Sequence, residues 1–548
     1  MKFLPENMDG KNLMILNTYY DRGNWGKPDD VLDIIYKDID TKRKYVYTAV
    51  NPIVEIYIVK PEYRNRVTMI EESLRKDWCY PIRVHFKSMY EEIGKGLGIS
   101  WKEAKFSPYA YGIPEDVETY YQMQFKLEYH TDAEKELSIG FLDIETDIIS
   151  ITGFPENGIV PINCVSYLDY ERKQMYVFVY LKDDIPDIKP SNPKYEYYQH
   201  LKEKHNQMAE EFARNLKPFK DALNEEYDDI YGKINYNILC FDDERKMLTA
   251  LFDVLRTSQN DYVMIWNQGF DNGYLIDRPR ELGMDVEALF VDPLFLQHPK
   301  FQSGELTRKV FFKEDRNPKT HKRRHISNTY SLFTFVCQMI SYAGIRSNRG
   351  KLPSLRLNDI GKIEFKDTKV DYSEYGNIRY FPYMNFKLFI KYNIKDVLLQ
   401  SGVHSVTRDI DAIYQIYSED CVKLNQCFTS TAVSENSLRE FLFTHLDLVL
   451  GPNRNKLFNN DDSFVYSYTY DDEEDVDEDF EEDDEEISSE EGSKKKKEKF
   501  TGAFVMHPKH MTESGTYING ELCKYVHVCV IDFDITSELT WEAQNKPI

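Results

Sequence analysis

No CxxC pair occurs in this sequence. Its eight cysteines, Cys79, Cys164, Cys240, Cys337, Cys421, Cys427, Cys523 and Cys529, are scattered along 548 residues. That spacing excludes a zinc ribbon or finger and reads as reduced, mostly buried thiols, so any metal should be held by oxygen. Long apolar runs are missing too: none approaches the roughly 20 residues that span a bilayer. The opening Met1-Lys2-Phe3-Leu4-Pro5-Glu6-Asn7 lacks the apolar core of a signal peptide. The expectation is a soluble, cytoplasmic protein with no membrane partner. A basic excess is also lacking, since the formal net charge is −24, which taken alone argues against a polyanionic partner. The charge is uneven, however. Residues 461–492 hold 18 acidic and no basic side chains, and removing them from −24 leaves −6 for the rest. A local basic groove, and with it nucleic acid, is therefore not excluded. No internal repeat is found.

What is present is enough apolar material for several cores: 41% hydrophobic residues, in a chain too long for one ordinary core. Residues 12–137 mix β-rich runs (45–50, 52–59) with one helical stretch at 68–76 and show no catalytic constellation. From 136 the pattern becomes α/β. Buried-strand patterns end at Asp143 and Trp266, two more lie within 163–180, a long charged helix covers 197–224, and an amphipathic helix covers 243–258. Residues 309–326 read as a hairpin with turn chemistry at Arg316-Asn317-Pro318-Lys319-Thr320. Residues 405–460 are helical, and 461–499 form an acidic linker too polar to offset the entropy of ordering. β patterns return from 500 to 548. The fold class expected is multi-domain α/β: 1–137, 138–404, 405–460, the linker 461–499, and 500–548.

The chemistry lies in carboxylates. Asp143-Ile144-Glu145 ends a buried strand, where residues i and i+2 point the same way. Two like charges so placed repel and rise in pKa unless a cation joins them, and a hard divalent ion with oxygen ligands, Mg²⁺ first, answers that need. Asp271 follows the strand ending at Trp266 and opens a helix. Tyr392 and Asp396 are i and i+4 on another helix and share a face. Each alone has an ordinary reading: a solvated strand end, a helix N-cap, an exposed helix pair. Together, in this order, they match the pattern of exonucleases with four carboxylates and a Tyr in the last motif. Four carboxylates from three distant segments can hold two divalent ions.

At these residues the sequence resembles the family B DNA polymerases, especially the replicative polymerases of tailed, T-even-like phages. Phe141-Leu142-Asp143-Ile144-Glu145-Thr146, Trp266 to Asp271, and Tyr392 to Asp396 look like that family's Exo I, Exo II and Exo III. Phe241 to Leu248, Tyr330-Ser331-Leu332 and Leu357 to Lys362 are similar to supporting blocks, and the 309–326 hairpin to the exonuclease hairpin. One departure is that Asn267-Gln268-Gly269-Phe270-Asp271 is a residue shorter than the family's Asn-x-x-x-Phe-Asp. The resemblance implies a ribonuclease H-like 3′→5′ proofreading exonuclease after a β-rich N-terminal domain. Asp143, Glu145, Asp271 and Asp396 would hold two Mg²⁺ (Mn²⁺ substituting), and Tyr392 would orient the attacking water. Partners implied are DNA, as a single-stranded 3′ end or a primer-template, and a sliding clamp; the location would be the host cytoplasm if the source is viral.

Phe500 to Val505 looks like the motif that joins exonuclease to polymerase. Val530-Ile531-Asp532-Phe533-Asp534 looks like polymerase motif A, the start of a palm, with Asp534 a metal ligand of a partial site. The family's continuation is absent after Ser537. The expectation is therefore that this chain alone does not polymerise DNA and that a second polymerase fragment supplies the rest. Two alternatives stay open: a free-standing nuclease, and a non-catalytic DNA-binding scaffold. For DNA contacts, Asn267, Phe270 and the hairpin's Lys313, Arg316, Lys319, Lys322, Arg323 and Arg324 are candidates, with Phe270 or Tyr274 stacking on bases and at least one of the two packed in the core.

Overall fold

The computed structural model describes residues 4, 8–22, 29–67, 73–129, 131, 133–153, 155, 157–187, 189–306, 312–316, 323–328, 333–346, 354–428, 430–451, 515–518 and 521–524. The chain divides into two compact units, Met1–Asp479 and Phe480–Ile548. In the second, Gly515–Ile518 and Glu521–Lys524 pair as an antiparallel hairpin. No helix among the described residues is long and apolar enough to cross a membrane. The architecture is mixed α/β, with several sheets and helices.

The first unit opens with the antiparallel sheet Leu13–Asp21, Val31–Asp38 and Lys44–Val50. Ile53–Val59, Cys79–His85 and Ala110–Tyr111 form another three-stranded sheet. The helix expected over 68–76 is not found where the structure is described. Residues 68–72 lie outside the described residues, and Ser73–Arg75 is a strand paired with Leu448–Leu450. The reason is tertiary: Leu74 and Val449, directly opposite each other, are both buried, and that cross-strand contact outweighs helix propensity.

A six-stranded sheet forms the centre. Its spatial order is Asn235–Phe241, Gln174–Tyr180, Ile162–Asp169, Ile139–Thr146, Tyr262–Ile265, Thr334–Cys337. Ile139–Thr146 pairs antiparallel with Ile162–Asp169 and parallel with Tyr262–Ile265. Every residue of Ile162–Asp169 and Tyr262–Ile265 is buried, as expected of strands covered on both faces. Gly140 is needed where it stands, since a Cβ there would come within 2.6 Å of the Tyr167 ring. The single charged helix expected at 197–224 is two helices, Tyr195–Arg214 and Leu216–Tyr231, broken at Asn215. Phe212 and Phe219 meet edge to face across the break, so each helix buries its own apolar stripe. In 405–451 the helices Asp409–Glu419 and Ser430–His445 precede the short strand that pairs with Ser73–Arg75.

The N-terminal sheet is joined to the central one by a buried ionic knot. Lys37 donates to the Asp261 carboxylate and to the Glu136 carbonyl at 3.0 Å. Lys44 donates to the Asn260 carbonyl at 2.5 Å and lies 3.5 Å from Asp261. Asp261 also accepts from the Ser138 amide at 2.8 Å. The Lys44 and Asp261 side chains are both fully buried. Burial pulls the Lys44 ammonium down to about 8, against the pull of Asp261. Removing one partner of such a knot leaves an uncompensated buried charge. Asp261→Ala is expected to destabilise the protein by about 3–5 kcal/mol, and Lys44→Met by less, because Asp261 keeps Lys37; thermal melts measure both. Between pH 8 and the ordinary lysine value the unfolded chain binds this proton more than the folded one, so wild-type stability should rise with pH relative to Lys44→Met.

Candidate functional site

Period two puts Asp143 and Glu145 on one side of Ile139–Thr146, while Leu142 and Ile144 are buried on the other. In register, Asp143 lies opposite Ser166 and Glu145 opposite Cys164. Over this strand end runs the helix Phe386–Thr407. It starts where the Asn385 side chain accepts from the Leu388 amide at 3.0 Å, capping the first turn. Tyr392 and Asp396 point into the protein, each only 2% exposed, which removes the ordinary reading of a solvated helix pair. One carboxylate oxygen from each of Asp143, Glu145 and Asp396 lies within 4.8 Å of the others.

Asp271 arrives on the helix Gln268–Glu281, in its first turn but not as its N-cap; Asn267 holds that position without a side-chain cap bond. The helix is clamped from behind. Arg278 forks onto Glu244, with hydrogen bonds of 2.7–3.1 Å, and donates to the Gly158 carbonyl at 2.9 Å. Glu244 also accepts from the Ile162 amide at 2.8 Å. Gly158 sits at φ +68° against Arg278, where a Cβ would come within 2.5 Å of the Arg278 backbone nitrogen. Asp271 is not a member of the tight trio. Its charge nevertheless acts on Asp143 more strongly than that of Asp396 or Glu145. Burial first, then Asp271, Asp396 and Glu145, push the Asp143 carboxyl well above the usual carboxylate range, and Lys369 pulls the other way.

Lys369 escaped the sequence reading. Its ammonium lies 3.2 Å from the Asp396 carboxylate and donates to the Tyr392 hydroxyl at 3.2 Å. It comes from an irregular segment with no periodicity to flag it. That segment is fixed by neighbours: the Lys369 amide donates to Asn358 at 3.0 Å, and Asp367 accepts from Lys395 and Tyr231. Asn393 was also passed over, between two residues that were singled out. It is fully buried and donates to Asp143 at 2.7 Å.

The remaining candidates are spread more widely. Tyr274 is core: its hydroxyl donates to the Val160 carbonyl at 2.8 Å. Phe270 is half-buried, 5.6 Å from the Tyr274 ring. The hairpin exists as strands Phe312–Arg316 and Arg323–Asn328, with Arg316 paired to Arg323 in register and Arg324 next along, and the second strand runs beside the Asp271 helix. Lys319, Lys322, Tyr330-Ser331-Leu332 and Asp534 lie outside the described residues.

The donor set suits a hard divalent cation: converging carboxylate oxygens on an apolar floor, with the proton affinity of Asp143 raised first by burial and then by the negative charges gathered there. No family model matches the chain. A DNA polymerase from Orgyia pseudotsugata multicapsid polyhedrosis virus is 22% identical over 212 residues, which cover 38% of this chain. The match spans 19% of the viral protein's length. This distant similarity supports a relation to DNA polymerases.

Two outcomes follow for the metal-free protein. As pH rises above the ordinary carboxylate value, the folded state holds the Asp143 proton longer than the unfolded chain, so this group's contribution to stability falls. Asp143→Asn is therefore expected to raise the metal-free melting temperature at neutral pH. Mg²⁺ at about a hundred times its dissociation constant should stabilise the wild type by about 2.7 kcal/mol, and Asp143→Asn should lose most of that gain in calorimetric melts.

Proposed function

We propose that this chain carries the 3′→5′ proofreading exonuclease of a family B DNA polymerase, of the T-even-like phage type. The observation that carries the reading is the convergence of Asp143, Glu145 and Asp396 from two distant segments, with the charge of Asp271 acting on the same carboxyl. The sheet supports it. Counted from Ile139–Thr146 and leaving out the edge strand Asn235–Phe241, the order is third, second, first, fourth, fifth, with the second strand antiparallel to its neighbours, as a ribonuclease H-like domain requires. The similarity to a viral DNA polymerase supports the class of substrate.

In this reading the four carboxylates hold two divalent ions, Mg²⁺ or Mn²⁺. Bound there, the ions would acidify water and offset the negative charge that builds on the phosphodiester during hydrolysis. The chain's own residues do the rest. Tyr392 is held by the edges of Tyr372 and Phe381, so its hydroxyl has a fixed direction for orienting water. Lys369 donates to that hydroxyl at 3.2 Å, which further fixes the position of its oxygen. The half-buried Phe270 and the arginines of the 312–328 hairpin are assigned to the DNA strand. The division at 137, 404, 460 and 499, the palm role of Asp534, the complementing polymerase fragment and the sliding clamp belong to the same proposal. Co-purification of a polymerase fragment or a clamp with the tagged chain tests the last two.

Purified protein with 5′-labelled single-stranded DNA and Mg²⁺ should shorten the strand from its 3′ end. Asp143→Ala/Glu145→Ala should slow this at least about a hundredfold, or about 2.7 kcal/mol of barrier. Lys369→Met should slow it about tenfold or more, about 1.4 kcal/mol, without loss of fold. Absence of metal-dependent shortening by the wild type overturns the assignment.

A further inference from the structure

The charges of Asp271, Asp396 and Glu145 all act on Asp143, and neighbouring elements fix its direction. Asn393, on Phe386–Thr407, donates its amide Nδ2 to Asp143 Oδ2 at 2.7 Å. The amide thus presents its nitrogen to Asp143 and its oxygen the opposite way. That oxygen meets Cys164 Sγ at 3.3 Å. An amide oxygen only accepts, so the thiol must be the donor and must carry its proton. Cys164 stands directly across from Glu145 on the neighbouring strand. Asn393 and Cys164 are both fully buried. The Cys164 thiol, the Asn393 amide and the Asp143 carboxylate thus form a one-way donor chain whose first two members are fully buried.

We infer that Asn393 is a positioning residue for the proposed metal site, and that the Cys164 thiol sets the orientation of its amide. The inference rests on the reading of Asp143, Glu145 and Asp396 as ligands. With Oδ2 accepting from the amide, the direction of the Asp143 carboxylate is set before a cation arrives. Neither residue touches substrate. Such supporting partners typically change metal affinity by about 10–100-fold when removed. The thiol's place in the chain also gives a buried cysteine a use other than filling space. A Ser at 164 can donate to the amide as the thiol does; an Ala cannot.

The test is Mn²⁺ binding to the full chain, followed by the electron paramagnetic resonance signal of free Mn²⁺, with no DNA present. Asn393→Ala and the volume-matched Asn393→Leu should each weaken Mn²⁺ binding about tenfold or more. Cys164→Ala should weaken it less, and Cys164→Ser should bind more tightly than Cys164→Ala. Circular dichroism melts establish that each variant folds, and Asn393→Leu serves if Asn393→Ala does not. Wild-type affinity in a folded Asn393→Leu overturns the positioning role while leaving the metal site standing. Equal affinities for Cys164→Ala and Cys164→Ser overturn the part given to the thiol. If the wild type binds no Mn²⁺ that Asp143→Ala abolishes, both this inference and the metal reading beneath it fall.

Discussion

Carboxylates that repel one another are held together at one end of the central sheet, and much of the surrounding structure exists to withstand that repulsion. Asp143 and Glu145 are separated by a single residue on one strand, Asp396 converges on them from a helix, and Asp271 presses on Asp143 from another. In water such groups would drift apart. Here they cannot, because each is carried by an element whose other face is locked into the core. Leu142 and Ile144 anchor the strand, and Phe389, Ile390, Ile394 and Val397 anchor the helix. Apolar burial over these elements, at about 25 cal/mol per Å², opposes the like-charge repulsion.

The anchoring extends well beyond the site. Arg278 and Glu244 tie the Asp271 helix to the Gly158 turn and to the start of the strand that faces Asp143. Tyr262 donates to the Leu16 carbonyl at 2.7 Å and Tyr414 to the Ile15 carbonyl at 2.9 Å, so the N-terminal sheet is bonded to the central sheet and to the helix Asp409–Glu419. With the knot of Lys37, Lys44 and Asp261, these bonds make the N-terminal sheet part of the scaffold. Shifting Tyr262–Ile265 would shift Ile139–Thr146, its parallel neighbour, and with it the two strand-borne carboxylates.

What could be read from the sequence followed local periodicity. Asp143 and Glu145 sit two apart on a strand, and Tyr392 and Asp396 four apart on a helix, so each pair declares its shared face. The hairpin at 309–326 was legible from its turn residues. Residues fixed by distant contacts were not. Ser73–Arg75 is a strand because Leu448–Leu450 lies beside it, nearly four hundred residues on. The break at Asn215 serves two aromatic stripes that a single helix pattern hides. Lys369 lies in irregular chain, and nothing in its neighbours' spacing points toward Asp396. Asn393 lies between two chosen positions, and its role depends on Cys164, a partner more than two hundred residues away.

Charge gives the last constraint. In the proposed reading four carboxylates share the site, and among the described residues the Lys369 ammonium lies 3.2 Å from Asp396, so these five groups, all ionised, carry four negative charges and one positive, a net −3. A single lysine cannot offset that, and the strain shows in Asp143, whose burial and neighbouring charges raise its proton affinity in the metal-free protein. Two divalent ions would instead supply four positive charges, enough to ionise every carboxylate and leave an excess of one. A phosphodiester brings one negative charge. The same arrangement that makes the metal-free site uncomfortable would therefore make the loaded one electrostatically complementary to a nucleic-acid backbone, although the chain as a whole carries −24. Only the proposed ions reverse the local sign, and most of the chain's acidic excess lies in residues 461–492, far along the sequence from the sheet that carries the site.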